Sequence, residues 1–323
     1  MKGTYRWIGL CVGILCLAYF FNSALRQILS FPPLYWGLNA CASFTGATIL
    51  NALVTLIGGY VWVLLLRTCG ESVMTREALV VFALAQFAKY IPGNVAHHAG
   101  RIALANRRGL TLSRVVFTVT LEAAWLIVAA STLAMIWLVF VGKNLFRYTQ
   151  ELPTVFQLAL AITIAVAFPL LVGWVLLRWR PGPVQKILGH ATVSTPSPIV
   201  LLNCLLIYAV CFLFMGIASD ILARGLFGVT ESRIGLLTGS FAIAWVAGFL
   251  TPGSPAGLGV RETILLKILG PIYGTGVAAG LAVALRAVTT LADGLTFSAA
   301  LIAKRRVLPI IPEVVPSKRD VQR

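Results

Sequence analysis

Six stretches of this chain run for about twenty residues or more with few charges, and they constrain the fold more than anything else in it. They are Trp7–Leu25, Cys41–Leu66, Val115–Val141, Val155–Leu177, Ile199–Leu222 and Ile272–Ala303. A hydrocarbon core about 30 Å thick is crossed by about 20 helical residues. Inside it every backbone N–H and C=O must be bonded internally, which leaves only helices and closed barrels. Runs of this length predict helices. The whole chain agrees: 59% of its 323 residues are hydrophobic and only 11% charged, against about 25% charged in an ordinary soluble domain. The fold class is therefore an all-α polytopic membrane protein. The N-terminus has the basic start of a signal peptide but lacks a clean small-x-small cleavage site, so Trp7–Leu25 is expected to stay as the first span.

Two apolar segments do not fit this scheme. Ala78–Tyr90 is apolar for only thirteen residues, which at 1.5 Å per residue reaches about 20 Å, short of the core thickness. It then meets Pro92 and Gly93, and its continuation carries His97, His98 and Arg101. Ile234–Leu250 runs into "TPGSPAGLG" and then a helix-like stretch with Arg261, Glu262 and Lys267. Both read as helix–break–helix units, either discontinuous spans or re-entrant hairpins. Charge decides between these. With both segments re-entrant and the N-terminus cytoplasmic, seventeen Lys and Arg fall inside and seven outside, with Lys89 and Arg286 at membrane depth. If both crossed fully, the split would be twelve to twelve. The positive-inside rule favours re-entry. The expected protein therefore has six full spans, two re-entrant hairpins, and both termini on the cytoplasmic face of the inner membrane.

The two broken segments also resemble each other. At a constant offset of 160, "YIPGNVAHHAGR" (Tyr90–Arg101) aligns with "LTPGSPAGLGVR" (Leu250–Arg261), matching Pro92 with Pro252, Gly93 with Gly253, Ala96 with Ala256 and Arg101 with Arg261. Each half reads span, span, broken hairpin, span. Residues 1–303 form one membrane domain of two pseudo-repeats, about 7–141 and 155–303, followed by a basic, Pro-rich tail, 304–323. Three full spans separate the hairpins, so they enter from opposite faces. That is an inverted-topology repeat, the arrangement in which transporters place their sites between broken helices near the midplane.

Charge at that depth costs a few kcal/mol per group, and so marks candidate sites. Lys89, Tyr90, His97, His98 and Arg101 flank the first break, with His97 and Arg101 expected as i,i+4 neighbours. A fixed arginine, a titratable histidine and open helix-end N–H groups could receive a phosphate. The second break supplies glycine-rich backbone leading to Arg261 and Glu262. The long spans add Glu122, and Arg286 with Asp293 two turns apart on one face. Glu122 and Asp293 are candidates for coupling or charge pairing, and Arg286 with Glu122 is one pairing that would simply stabilise the bundle.

Other chemistries find little support. The six cysteines form no C-x-x-C, no third ligand accompanies His97 and His98, and no metal site or cofactor is expected. H-E-x-x-H, G-x-S-x-G and Walker motifs are missing, so the chain is not expected to be an enzyme. The net charge of +16 reflects loop orientation rather than nucleic-acid binding.

"KYIPGNVAHHAGR" resembles the Tyr-x-Pro-Gly…Arg signature of the membrane region of lysylphosphatidylglycerol synthases, the flippase-like family. "TPGSPAGLGVRE" is similar to its second signature, Pro-Gly-x-x-Gly-x-Gly-x-Arg-Glu, with Ser254-Pro255-Ala256 interrupting the glycine pattern. The resemblance spans about residues 5–305. It carries over Pro92, Gly93, Arg101, Pro252, Gly253, Gly257, Gly259, Arg261 and Glu262 as motif positions. It implies the lipid-translocating half of such proteins without the soluble aminoacyl-transferase domain. The expected function is a flippase or scramblase for an anionic phospholipid or a polyprenyl-phosphate-linked glycan precursor, with a homo-oligomer or a lipid or glycan synthase as candidate partner. The alternatives are a membrane enzyme using His97 or Glu262 as base, and a non-transporting partner of a synthase.

Overall fold

The computed structural model describes residues 37–90, 96–145, 194–251 and 254–307, and within them the chain is helical, without strands. The long helix α1 (Leu38–Thr68) is followed by the short α2 (Thr75–Gln86), a 3-10 turn (Phe87–Tyr90), the short α3 (Ala96–Asn106) and the long α4 (Leu112–Leu145). The same series then recurs as long α5 (Pro198–Phe227), α6 (Ile234–Leu250), a 3-10 turn (Pro255–Gly257), α7 (Val260–Tyr273) and long α8 (Thr275–Val307). Among the described residues four helices are long and apolar enough to cross a membrane: Leu38–Thr68, Leu112–Leu138, Pro198–Phe227 and Thr275–Lys304. The expected spans Trp7–Leu25 and Val155–Leu177, the break residues Pro92, Gly93, Pro252 and Gly253, and most of the basic tail lie outside the described residues.

Local chemistry sets the helix ends. Pro198 opens α5 behind Ser197, whose hydroxyl accepts the Val200 N–H, so a missing donor and a capping acceptor coincide where N–H groups are otherwise orphaned. Gly228 closes α5 in the left-handed region (φ 66°), with its N–H on the Arg224 carbonyl and that of Val229 on Ala223. The short helices are as short as expected. The 12 residues of α2 reach about 18 Å and the 17 of α6 about 26 Å, both under the hydrocarbon thickness.

One boundary differs from the sequence reading. Ile272 and Tyr273 do not begin the last long helix but end α7, and α8 starts at Thr275. Gly274, at φ 82°, turns the chain between two apolar helices. Hydropathy does not register such a turn, because it changes direction without changing polarity.

The two series pack into one bundle. α1 lies on α5, α2 on α8, and α6 on α4; α3 lies beside α4 and α7 beside α8. Exchanging the series maps these contacts onto one another: α2 on α8 answers to α6 on α4, and α1 on α8 to α5 on α4. Small residues permit the close approaches. A Cβ on Gly239 would strike the Trp137 ring, and one on Gly280 would come within 2.5 Å of Phe227. Gly at such contacts is a common packing device between membrane helices. One core joins Leu222, Leu237, Leu269, Leu281 and Val288; a second, around Trp62, Phe82, Val115 and Val119, holds the first broken segment. Ile49 and Leu53 on α1 and Leu202, Leu206 and Leu213 on α5 are exposed and face outward, where lipid would cover them.

Candidate functional site

The first broken segment ends against α8. There the 3-10 turn sets Lys89 Nζ 2.7 Å from Asp293 Oδ2. Beside it the Tyr90 hydroxyl donates to the same oxygen at 2.6 Å, and Phe87 packs on Phe297 with ring centroids 5.1 Å apart. Arg286, Thr290, Asp293 and Phe297 recur at helical spacing, so one stripe of α8 receives the whole turn. Asp293 is only 1% exposed, and a carboxylate at that depth is sustained by its ammonium and hydroxyl partners.

The second broken segment meets the same stripe at Arg286. Ser254 donates its hydroxyl proton to the Leu258 carbonyl at 2.8 Å, tying the turn closed. Ala256 lies at φ 49°, with Gly257 at 72° and Gly259 at 83°. These left-handed positions turn the carbonyls of Pro255 and Ala256 toward Arg286, whose Nη2 and Nη1 donate to them at 3.4 and 3.0 Å. Glu262, in the first turn of α7, accepts the Gly259 N–H on Oε2 at 2.7 Å, and its Oε1 lies 3.7 Å from Arg286 Nη1. It thereby caps its own helix and anchors Arg286. The Arg261 side chain runs through a slot made by two glycines. A Cβ on Gly248 or Gly257 would come within 2.6 or 2.7 Å of its atoms, and its guanidinium stands over Trp245 at 5.7 Å.

Between these elements lies a cavity of about 150 Å³, room for several waters. Lys89, Tyr90, Arg261 and Arg286 line it, together with an aromatic wall that includes Phe212, Phe241 and Trp245. Glu262 and Asp293 stand behind the cations and do not line the space. Three cations backed by two carboxylates leave a surplus of one positive charge, carried by Arg261. Among the described residues Arg261 has no carboxylate within ion-pair distance, and its buried Nε has no hydrogen-bond partner. A guanidinium N–H in a low-dielectric cavity without an acceptor is costly, and an oxyanion removes that cost with strong, charge-assisted bonds.

The remaining predicted residues gather elsewhere. Arg101, 3% exposed, pairs with Glu122 at 2.6 Å and lies between the rings of Trp62 and Phe82, each 4.9 Å from its guanidinium carbon. This pair joins α3 to α4 and does not line the cavity. The partner anticipated for Glu122 was Arg286; the structure gives Glu122 to Arg101 and Arg286 to Glu262. The histidine beside Arg101 is also not the one at i,i+4. His98 Nδ1 approaches Arg101 Nη2 at 3.4 Å, while His97 stacks on His98 at 3.8 Å. His98 in turn meets the edge of Phe249 from α6, linking the two broken segments. No group of three or more potential metal ligands occurs among the described residues.

Sequence reasoning missed the wall. Phe241 and Trp245, which line the cavity, are i,i+4 neighbours along α6, and Phe249 continues that spacing and stacks on Trp245, a pattern that could have flagged them. Gln86 and Thr289, which also line the cavity, carry no such signal.

A family model described as the lysylphosphatidylglycerol synthase TM region matches residues 6–295. The chain belongs to this family. The matched stretch includes both broken segments and every side chain that lines or backs the cavity. Membership in the lysylphosphatidylglycerol synthase membrane family makes this an integral membrane protein tied to lipid metabolism or transport. Among curated proteins, none matches the chain closely enough to count as a relative.

Proposed function

We propose that the protein moves an anionic lipid, a phospholipid or a polyprenyl-phosphate-linked precursor, between the leaflets of the inner membrane by seating its phosphate in the cavity of Lys89, Arg261 and Arg286. The observation that carries this reading is the unneutralised Arg261. It is held rigidly between Gly248 and Gly257, over Trp245, and faces a space with room for a phosphate. The apolar tails need no such site and stay in lipid. The two broken segments act as opposed re-entrant hairpins of an inverted repeat, with both termini cytoplasmic. The matching order of elements in the two series and the exchange symmetry of their contacts support that arrangement. Movement of one hairpin against the stripe on α8 would open the cavity to one leaflet, and movement of the other to the opposite leaflet.

The test is translocation in proteoliposomes, following access of a labelled anionic headgroup to an impermeant quencher. Loss of a charge-assisted hydrogen bond is worth about 1.5–3 kcal/mol, so Arg261→Gln should slow translocation by about tenfold or more while leaving the melting temperature near that of the wild type. Unchanged translocation by the folded variant refutes the site.

A further inference from the structure

We infer that Asp293 couples headgroup binding to proton uptake: a phosphate drawn to Lys89 takes that ammonium from Asp293, and the carboxylate then accepts a proton from water. This rests on the headgroup site proposed above and adds its coupling ion.

The geometry supplies the exchange. Lys89 lines the cavity, whereas its partner Asp293 does not, so an anion in the cavity meets the ammonium and not the carboxylate. Lys89 is about a quarter exposed and Asp293 nearly fully enclosed. The lysine stem can therefore swing while the aspartate stays. Once Lys89 leaves, Asp293 Oδ2 keeps only the Tyr90 hydroxyl, and Oδ1 is already buried without a hydrogen-bond partner. Among the described residues no other cation lies within ion-pair distance of Asp293. Arg286, two turns earlier on α8, is committed to the carbonyls of Pro255 and Ala256 and to Glu262. Arg261, on α7, is confined to its glycine slot. Of the other elements around the site, α1 presents Asn51 and Thr55, α2 presents Gln86, and α5 presents Tyr208 and Cys211, none of them a cation.

A buried carboxylate that loses its directly paired cation is less stable than its neutral acid. Neutralisation moves one proton from solvent to a carboxylate oxygen; no other bond forms or breaks. The loaded site then holds one added negative charge and one added proton. Passage of a monoanionic headgroup across the low-dielectric core would carry no net charge. Translocation would draw on a proton gradient without any nucleotide site.

The experiment is calorimetric binding of dihexanoylphosphatidylglycerol to the full chain in detergent, at one pH in two buffers of different ionisation enthalpy. The difference in heat counts the protons exchanged. The wild type should take up close to one proton per probe bound and bind more tightly as pH falls, by up to about tenfold per unit. Asp293→Asn should bind more tightly than wild type at neutral pH, because Lys89 is no longer held, with near-zero proton uptake and little pH dependence. Lys89→Gln, which leaves Asp293 without its cation from the start, should bind weakly, also with near-zero uptake. Should Asp293→Asn fail to fold, the wild type and Lys89→Gln still decide the matter. Wild-type binding without proton uptake overturns the coupling and leaves the headgroup site standing, as does undiminished uptake in either variant. No binding by the wild type overturns the headgroup site and the coupling together.

Discussion

Removing either member of the Arg101–Glu122 pair should destabilise the protein far more than removing both. The two groups are 2.6 Å apart, each less than a tenth exposed, in the middle of an apolar cluster. Breaking a buried pair from one side leaves the other charge uncompensated, at about 3–5 kcal/mol. The two single variants should also be unequal. A stranded carboxylate can take a proton, which at pH 7 and from a reference value near 4.3 costs about 3.7 kcal/mol. A stranded guanidinium has no such escape, since its reference value lies above 12. Glu122→Leu should therefore be worse than Arg101→Met. The double variant replaces the pair with apolar groups of similar reach and loses the stacking of Arg101 on Trp62 and Phe82. It should fall within about 2 kcal/mol of wild type, giving a coupling energy of about 3 kcal/mol or more. Reversible unfolding in mixed micelles, followed by tryptophan fluorescence and far-ultraviolet circular dichroism, measures all four proteins. Single variants within about 1 kcal/mol of wild type, or a double variant as unstable as the sum of the singles, would refute this account of the pair.

Two further substitutions probe the second broken segment. Gly248→Ala should push the Arg261 side chain out of its slot, because the new methyl would lie 2.6 Å from Arg261 Cγ and 3.1 Å from the Gly257 backbone; translocation should fall about as far as in Arg261→Gln, with Arg261 still present. Ala256→Gly should stabilise the protein by roughly 1 kcal/mol, because an L-residue at φ 49° carries the strain of the left-handed region and glycine does not; a lower unfolding midpoint would contradict it.

Much of the bundle was legible in the sequence because burial in lipid leaves so few options. The runs around Cys41–Leu66, Val115–Val141 and Ile199–Leu222 became long helices of nearly those bounds, and the two shorter runs became helices of 12 and 17 residues. The stripe of Arg286 and Asp293 was also legible, since seven residues are two helical turns whatever surrounds them. The partners of that stripe were not. Lys89 and Tyr90 are 204 and 203 residues from Asp293, and their pairing depends on how far the turn after α2 reaches and how α8 is rotated. Helix α5 hid its buried face for a related reason. It is apolar all round, so nothing in its periodicity separates the side that packs on α1 from the side that faces outward.

The sequence by itself determined a helical membrane protein interrupted twice by Pro-Gly breaks, with its few internal charges concentrated beside those breaks and on two long helices. Composition and length were enough for this, because the cost of exposing backbone or charge to hydrocarbon is large and local. Only the tertiary structure decided which charges cancel. It gave Arg101 to Glu122, Lys89 to Asp293 and Arg286 to Glu262, and left Arg261 facing the cavity. Ion pairing acts over a few ångströms, and those ångströms are set by where helices far apart in sequence come to rest against one another.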